Sequence, residues 1–382
     1  MNIVTVAKIF RPVGRSLSIN VDNSITKERN WFDVSPSKRP AGQQTITVST
    51  YNLLSQQYMW PEVYNHIPSK YRSWEYRLPL INRNLIDLSR LADIMCFQEM
   101  EFNVYQETWK PLLKNHGFDS IFQKKKPPVY WTKSKDQLDG VSIFVNSNKF
   151  DLLNYEPVEY SEHFQNPQYF TPTEDLRERA MSRNTVALIA TMRHKKTGTI
   201  IFVTNTHLYW SPEFPDVKVL QTYLLARLLR RTMRNYYKVN DYQLKEIMRN
   251  GEANALLVGD FNSTPDSMVY EFLQTGSLNI AKDTRFNYDY GELDGAILRT
   301  GLLGFESQYK SLVSSSEFQR REHSQPFKRF IDYIWVNKYS KNLIPIRVLG
   351  DINIEHLDRF SWFPNESYPS DHLPMLAQFG IR

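Results

Sequence analysis

An apolar run, Ala255-Leu256-Leu257-Val258, is closed by Gly259-Asp260-Phe261-Asn262 and the turn cluster Ser263-Thr264-Pro265. In an extended chain, residues two apart point the same way, so the carboxylate of Asp260 and the amide of Asn262 leave the end of this strand together. Ligands of open α/β sheets collect at such carboxyl ends. An Asx turn that merely ends the strand explains the pair equally well, so the rest of the chain has to decide. Similar polar punctuation recurs at Asn52, Glu99, Asp139, His207, Asp332, Asp371 and His372, most of it at or beside the end of an apolar segment. Taken singly, Asn52 can cap a turn, Glu99 can pair with a base, and His207 can be a hydrogen-bonded core histidine. Asp332, inside Ile331-Asp332-Tyr333-Ile334-Trp335, is harder to dismiss. A carboxylate in an apolar strand is costly without a partner, and Ser370-Asp371-His372 supplies both a partner and a general acid/base.

Together these residue types fit one chemistry. Glu99, Asp260, Asn52 and Asn262 are hard oxygen donors suited to Mg²⁺ or Mn²⁺. No Cys/His cluster has zinc spacing. Carboxylates and two histidines around a divalent ion are what metal-assisted phosphodiester hydrolysis needs: a water activated, a pentacovalent anion stabilised, a leaving oxygen neutralised. Glycine loops of the Walker type and a Gly-x-Ser-x-Gly elbow are absent, which argues against nucleoside triphosphatases and serine esterases.

Strands must carry these residues to one place. Residues 45–51 (Thr-Ile-Thr-Val-Ser-Thr-Tyr) alternate and end at Asn52; residues 93–97 form a buried strand ending in Gln98-Glu99. Further strands are expected over 118–122, 141–145, 185–192, 199–206, 255–259, 330–336, 345–350 and 373–379, with Lys195-Lys196-Thr197-Gly198 as a hairpin. Helices are expected from Leu78 to Leu91, with Pro79 in the first turn, near Val104 to Lys114, and over a long stretch whose buried stripe is Val217, Leu220, Leu224, Leu225, Leu228 and Leu229. Residues 154–182 read as an inserted loop and 22–43 as a linker. Strands with both hairpins and intervening helices predict a four-layer α/β sandwich: two packed mixed β-sheets flanked by helices.

At 382 residues and 41% apolar content the chain is globular, and no run is long enough for a membrane span. The lone Cys96 lies in an apolar run as a core thiol. Residues 1–40 hold seven basic and three acidic residues and so carry +4 of the net +6. The remaining domain is nearly neutral and must hold an anionic substrate by local features. Residues 1–21 lack acids and place Lys8, Arg11 and Arg15 opposite Val6, Phe10, Val13 and Leu17, which predicts a mitochondrial presequence. The alternative, suggested by Pro12 and Gly14, is a basic tail on a cytoplasmic protein. The catalytic domain is expected over 44–382.

Seven ordered motifs resemble the endonuclease/exonuclease/phosphatase superfamily, whose fold is deoxyribonuclease-like: Tyr51-Asn52-Leu53-Leu54, Gln98-Glu99, Asp139-Gly140, Asn205-Thr206-His207-Leu208, Gly259-Asp260-Phe261-Asn262, Ile331-Asp332-Tyr333-Ile334 and Ser370-Asp371-His372. Within it, His207-Leu208-Tyr209-Trp210-Ser211-Pro212, Trp74-Glu75-Tyr76-Arg77, Phe327-Lys328-Arg329-Phe330 and Tyr58-Met59-Trp60-Pro61 resemble the carbon-catabolite-repressor-type deadenylases, nocturnin, the Angel proteins and the yeast Ngl-type RNA exonucleases. The resemblance implies a Mg²⁺-dependent RNA exonuclease acting 3′→5′ on single-stranded RNA ends, with a preference for poly(A), and a monomer without the leucine-rich repeats that dock the deadenylase into its complex. It implies Glu99 as principal metal ligand, Asp260 as general base or partner of the metal-bound water, and Asn52 and Asn262 ordering metal and phosphate. His372 would meet the phosphate, oriented by Asp332. His207 would stabilise the oxyanion, Asp371 would serve a second metal position, and Pro212 with Phe327 would sandwich a base. The rival readings are a phosphatase acting on a soluble nucleotide, a DNA repair endonuclease, and an RNA-binding pseudoenzyme; the last would be expected to lack some of these acids and histidines, and none is missing.

Overall fold

The β-branched and aromatic runs of the sequence form fifteen strands in the computed structural model, which describes residues 25–26, 29–34, 43–128, 131–281, 284–293, 297–313, 330–352 and 362–382. They are β1 (Arg29–Asp33), β2 (Gln44–Asn52), β3 (Ile94–Glu101), β4 (Phe118–Lys124), β5 (Asp139–Asn146), β6 (Phe150–Glu159), β7 (Val186–His194), β8 (Ile200–His207), β9 (Ala255–Asp260), β10 (Ser277–Asn279), β11 (Ile297–Arg299), β12 (Phe305–Ser307), β13 (Asp332–Asn337), β14 (Leu343–Ile352) and β15 (Met375–Ile381). Seven make one sheet in the order β1-β14-β15-β2-β3-β5-β4, and six make a second in the order β12-β13-β9-β8-β7-β6. β2 runs parallel to β3 and β8 parallel to β9, while their other neighbours are antiparallel, so both sheets are mixed.

The alternation of side chains builds the layers. In β9, Leu256 and Val258 join Ile46, Val48, Ile94 and Cys96 in the core between the sheets. Ala255 and Leu257 face the other way, into a core with Leu220, Leu224 and Leu228 of the helix Pro215–Tyr237. On the far side of the first sheet, Met95 and Phe97 pack with Ile81, Leu85 and Leu88 of the helix Trp74–Leu91. Helix, sheet, sheet and helix thus stack as the expected four-layer sandwich. Cys96 lies in the middle core, its thiol pushed up by burial.

Several boundaries differ from expectation. The expected linker over 22–43 contains β1, because Arg29 is buried and donates to Gly350 O (2.7 Å) and Pro374 O (2.7 Å), fastening an edge strand to β14. The expected loop over 154–182 begins inside β6, which runs to Glu159, and continues with helical turns at Tyr160–Phe164, Glu174–Leu176 and Arg177–Met181. The first long helix starts earlier than Leu78: Ser73 Oγ accepts from Tyr76 N, so Pro79 sits inside the helix rather than in its first turn. Having no N–H, Pro79 simply leaves one helical bond unmade. Residues 1–21 lie outside the described residues. No helix of the described residues is long and apolar enough to cross a membrane.

Candidate active site

Strand parity decides which polar residues meet. Asn52, His207, Asp260 and Asp332 each lie at an even spacing from the inter-sheet residues Val48, Val203, Val258 and Ile334 of their own strands. They therefore continue the inner faces outward to one rim of the sandwich. Register completes the alignment: His207 pairs with Asp260 across β8/β9, and Asp260 pairs with Asp332 across β9/β13. Gly259 has φ of 135°, and a Cβ there would stand 2.1 Å from Thr206 O, so only glycine lets β9 lie this close to β8.

Glu99 breaks the parity rule. Met95 and Phe97 face the outer core, and an unbroken strand would send Glu99 with them. Instead the β3/β5 register shifts between Phe97 and Met100, and Glu99 takes φ of 54°. This bulge turns the side chain towards the rim, where such irregularities re-aim functional groups.

At the rim, one amide joins the two sheets. Asn52 Nδ2 donates to Glu99 Oε1 (2.9 Å) and to Asp260 Oδ2 (3.0 Å), while Asn52 Oδ1 accepts from Leu54 N (2.9 Å). Ser55 N donates to Glu99 Oε2 (2.9 Å) and Asn262 N to Asp260 Oδ1 (2.9 Å). Asn262, with φ of 46°, is turned by its Nδ2 bond to Leu208 O (2.9 Å). Below them Gln98 Nε2 donates to Asn205 Oδ1 (2.7 Å), a second polar tie between the sheets.

The two histidines are shifted in opposite directions. His372 Nδ1 lies 2.7 Å from Asp332 Oδ2, with Nε2 3.8 Å from Asp260 Oδ2 and 4.0 Å from Asp371 Oδ1. Burial disfavours its charge, but Asp332, Asp371 and Asp260 outweigh burial and raise it well above the ordinary histidine value. His207 is pushed well below that value by burial, then by Lys125 and by His372. Its Nε2 stands 3.7 Å from Asp260 and 3.9 Å from Glu99, beyond hydrogen-bond reach. Burial pushes Glu99 up to about 7, helped by Asp139, and pushes Asp260 up to about 7, helped by Asp332. Groups poised near neutrality are suited to proton transfer.

A divalent cation fits this site. Two buried carboxylates share one amide, and Asp332 Oδ1 is buried with no hydrogen-bond partner among the described residues. Asp260, Asp332 and His372 offer ligand atoms within 4.8 Å of one another. His372 Nδ1, however, is already engaged by Asp332 Oδ2 at 2.7 Å, and the surrounding carboxylates favour its protonated form, which has no lone pair for a metal. The trio is better read as an ion pair beside Asp260, which leaves oxygen donors such as Glu99 for the ion.

The structure brings Asn52, Glu99, His207, Asp260, Asp332 and His372 together, with Asp371 at the edge accepting from Tyr64 OH (2.8 Å) and Asn262 beside Asp260. Pro212 is exposed just before the helix Pro215–Tyr237, and Phe327 lies outside the described residues. Sequence reasoning missed the supports. Asp139 is held by Lys125 Nζ (2.7 Å) and Tyr58 OH (2.7 Å), and Lys125 is buried between the partly exposed Lys124 and Lys126. Nothing in a run of three lysines marks the middle one. Arg77 is buried and reaches Leu53 O (2.9 Å), Leu54 O, Gln56 Oε1 (2.9 Å) and Pro369 O (2.6 Å). Of Arg77, Arg83 and Arg90 in the helix Trp74–Leu91, Arg77 alone keeps the spacing of the buried Ile81, Asn84, Leu85 and Leu88, and the motif Trp74-Glu75-Tyr76-Arg77 was the available signal.

Comparison with known proteins agrees with this architecture. Residues 49–372 match the model of the Endonuclease/Exonuclease/phosphatase family. The CCR4-Not complex 3'-5'-exoribonuclease subunit Ccr4 of Saccharomyces cerevisiae is 32% identical over 370 residues, covering 96% of this chain but 42% of that protein. The chain thus spans less than half the length of that relative. RNA exonuclease NGL1 of the same yeast is 30% identical over 398 residues, covering 97% of this chain and 98% of that protein. Among solved structures, ANGEL2 superposes with a TM-score of 0.62 at 22% identity, covering 92% of this chain and 98% of that one. The human Nocturnin catalytic domain gives 0.58 at 22% identity, covering 94% and 100%. Glu99 and Asp260 meeting on Asn52 at the rim of two packed mixed sheets, and the match over nearly the whole domain, have one reading: the chain belongs to the endonuclease/exonuclease/phosphatase family.

Proposed function

We propose that this protein is a Mg²⁺-dependent 3′→5′ RNA exonuclease that prefers poly(A) ends. The observation that carries the reading is the convergence of Glu99, Asp260 and Asn52 with a charged and a neutral histidine on one rim. Support for RNA comes from Ccr4 and NGL1, whose names record exoribonuclease and RNA exonuclease activity. Glu99 would hold the metal, with Asp260, Asn262 and Asp371 supplying further oxygens. When bound, the ion neutralises phosphate charge and makes water more acidic.

The chain's own groups then divide the work. Asp260, with a carboxyl near neutrality, accepts the proton of the attacking water. His372 is held by Asp332 with its Nε2 outside hydrogen-bond distance of any carboxylate among the described residues, ready to donate to a phosphate oxygen. His207, neutral in the ground state, faces the same space and supplies an N–H to the developing oxyanion. Asn52 fixes the separation of Glu99 and Asp260 through its amide.

The test is to offer purified protein 3′-labelled and 5′-labelled RNA, abasic DNA and dinucleotides with Mg²⁺. Single-nucleotide release from the 3′ end, lost in Glu99→Ala with the melting temperature preserved, is the expected result. Hydrolysis of soluble nucleotides alone, or incision of abasic DNA, would replace this reading. Residues 1–21 are proposed to direct import into mitochondria, from their opposed basic and apolar faces. A reporter carrying them should reach the organelle and lose it when Arg11 and Arg15 become Glu. A reporter that stays cytosolic with the intact segment removes the proposal.

A further inference from the structure

Two tryptophans beside the site are exposed and touch each other. Trp60 is 42% exposed and Trp210 58%, and their rings meet edge to face at 6.1 Å. Exposed aromatics scattered singly need no explanation, but a contiguous exposed patch marks a binding surface. This patch is continuous with the active site at both ends. Trp60 contacts Tyr58 at 5.8 Å, whose hydroxyl donates to Asp139 beside Glu99. Trp210 contacts Tyr209 at 6.0 Å, two residues beyond His207.

A cation stands at each end without an acidic partner among the described residues. The guanidinium of Arg183 lies 4.7 Å over the Tyr209 ring and donates to Arg179 O. Lys133 Nζ reaches Gln57 Oε1 (2.5 Å), next to Tyr58. Neither forms an ion pair among the described residues, whereas Lys124, Lys125, Lys126 and Arg179 all do. A row of aromatic rings ending in positive charges that no carboxylate of the described residues neutralises matches a single-stranded polyanion whose units carry flat apolar faces. An apolar peptide would leave the cations unused, an acidic one would leave the rings unfilled, and a duplex would hide its bases from the rings.

We infer that Trp60 and Trp210 form a stacking step for the bases of single-stranded RNA upstream of the scissile bond, with Lys133 and Arg183 taking its phosphates. The inference rests on the proposed ribonuclease reading and deepens it. The step selects unpaired RNA over duplex and favours long substrates over short ones, because a dinucleotide fills the metal site without reaching the tryptophans.

The experiment compares wild type with Trp60→Ala, Trp210→Ala and the corresponding Tyr variants on a long single-stranded RNA and on a dinucleotide. Each Ala change should raise KM for the long RNA by roughly tenfold with kcat retained, the size expected of one lost base stack. The dinucleotide should be cleaved as by wild type, and the Tyr variants should recover long-RNA KM. A second arm uses Glu99→Ala protein, which keeps RNA intact: added RNA should quench indole fluorescence, and the quench should fall when either tryptophan is removed. Equal losses on both substrates, unchanged KM, or quenching indifferent to both tryptophans would overturn the inference. Should the wild type not cleave RNA, the proposed function fails and the binding arm alone decides this surface.

Discussion

At the site, charge is set by neighbours more than by residue type. His372 and His207 are the same side chain, yet three carboxylates raise the proton affinity of one against its burial, and burial with nearby cations lowers that of the other. A group that touches phosphate mainly in the transition state affects turnover rather than affinity. His372→Ala should therefore lower kcat by about 10²–10⁴-fold with KM little changed. Asp332→Asn keeps the shape but removes the largest charge holding the imidazolium. It should give a smaller kcat loss and move the basic limb of the pH–rate profile to lower pH. Steady-state kinetics across pH check both, and a raised KM with intact kcat would reassign the pair.

Among the elements, the helix Trp74–Leu91 does more than cover a sheet. Its Arg77, fully buried, binds the carbonyls of Leu53, Leu54 and Pro369, the loops that follow Asn52 and precede His372. Ser370 Oγ donates to Asn52 O (2.7 Å), closing the same junction from the other side. Arg77→Met removes the donors and leaves buried carbonyls unpaired. It should cost about 3–5 kcal/mol of stability and lower kcat even at temperatures where the variant is folded. Chemical denaturation and kinetics on the folded fraction measure the two effects separately. A variant as stable and active as wild type would show that these loops hold their own conformation.

For the whole molecule, the rim is a liability to folding that a bound divalent cation would relieve. Folding raises the carboxyls of Glu99 and Asp260 to about 7. Stability from these groups is full below the unfolded carboxylate values and is lost as pH rises through about 7. His372, raised in the fold, acts in the same direction, and His207, lowered, opposes it. Metal-free protein should therefore melt at a lower temperature at roughly pH 8 than at pH 5.5. Added Mg²⁺ should raise the melting temperature more at the higher pH, because the ligands must be deprotonated to bind it. Thermal melts in chelator and in Mg²⁺ at both pH values provide the check. Stabilisation by Mg²⁺ that is equal at both would place the ion elsewhere.

Local chemistry determined a good deal by itself. The apolar runs of β3 and β9 announced buried strands, because only a sheet covered on each side needs such runs, and β2 was legible from its alternation. Polar residues ending those runs, together with Asp332 placed where a carboxylate requires a partner, pointed to the rim. The sandwich and most of the site were legible for that reason. Other features depend on atoms distant in sequence. Glu99 reaches the site through a bulge against β5 that no alternation pattern encodes. Pro79 stays inside a helix because Ser73 caps it six residues earlier and its buried face packs on the sheet. Lys125 becomes a buried counter-charge through Asp139, and Arg29 turns an expected linker into β1 through carbonyls more than 300 positions away. Burial and charge are properties of the assembled neighbourhood, so tertiary packing alone decided which histidine is protonated and which carboxylates resist ionisation.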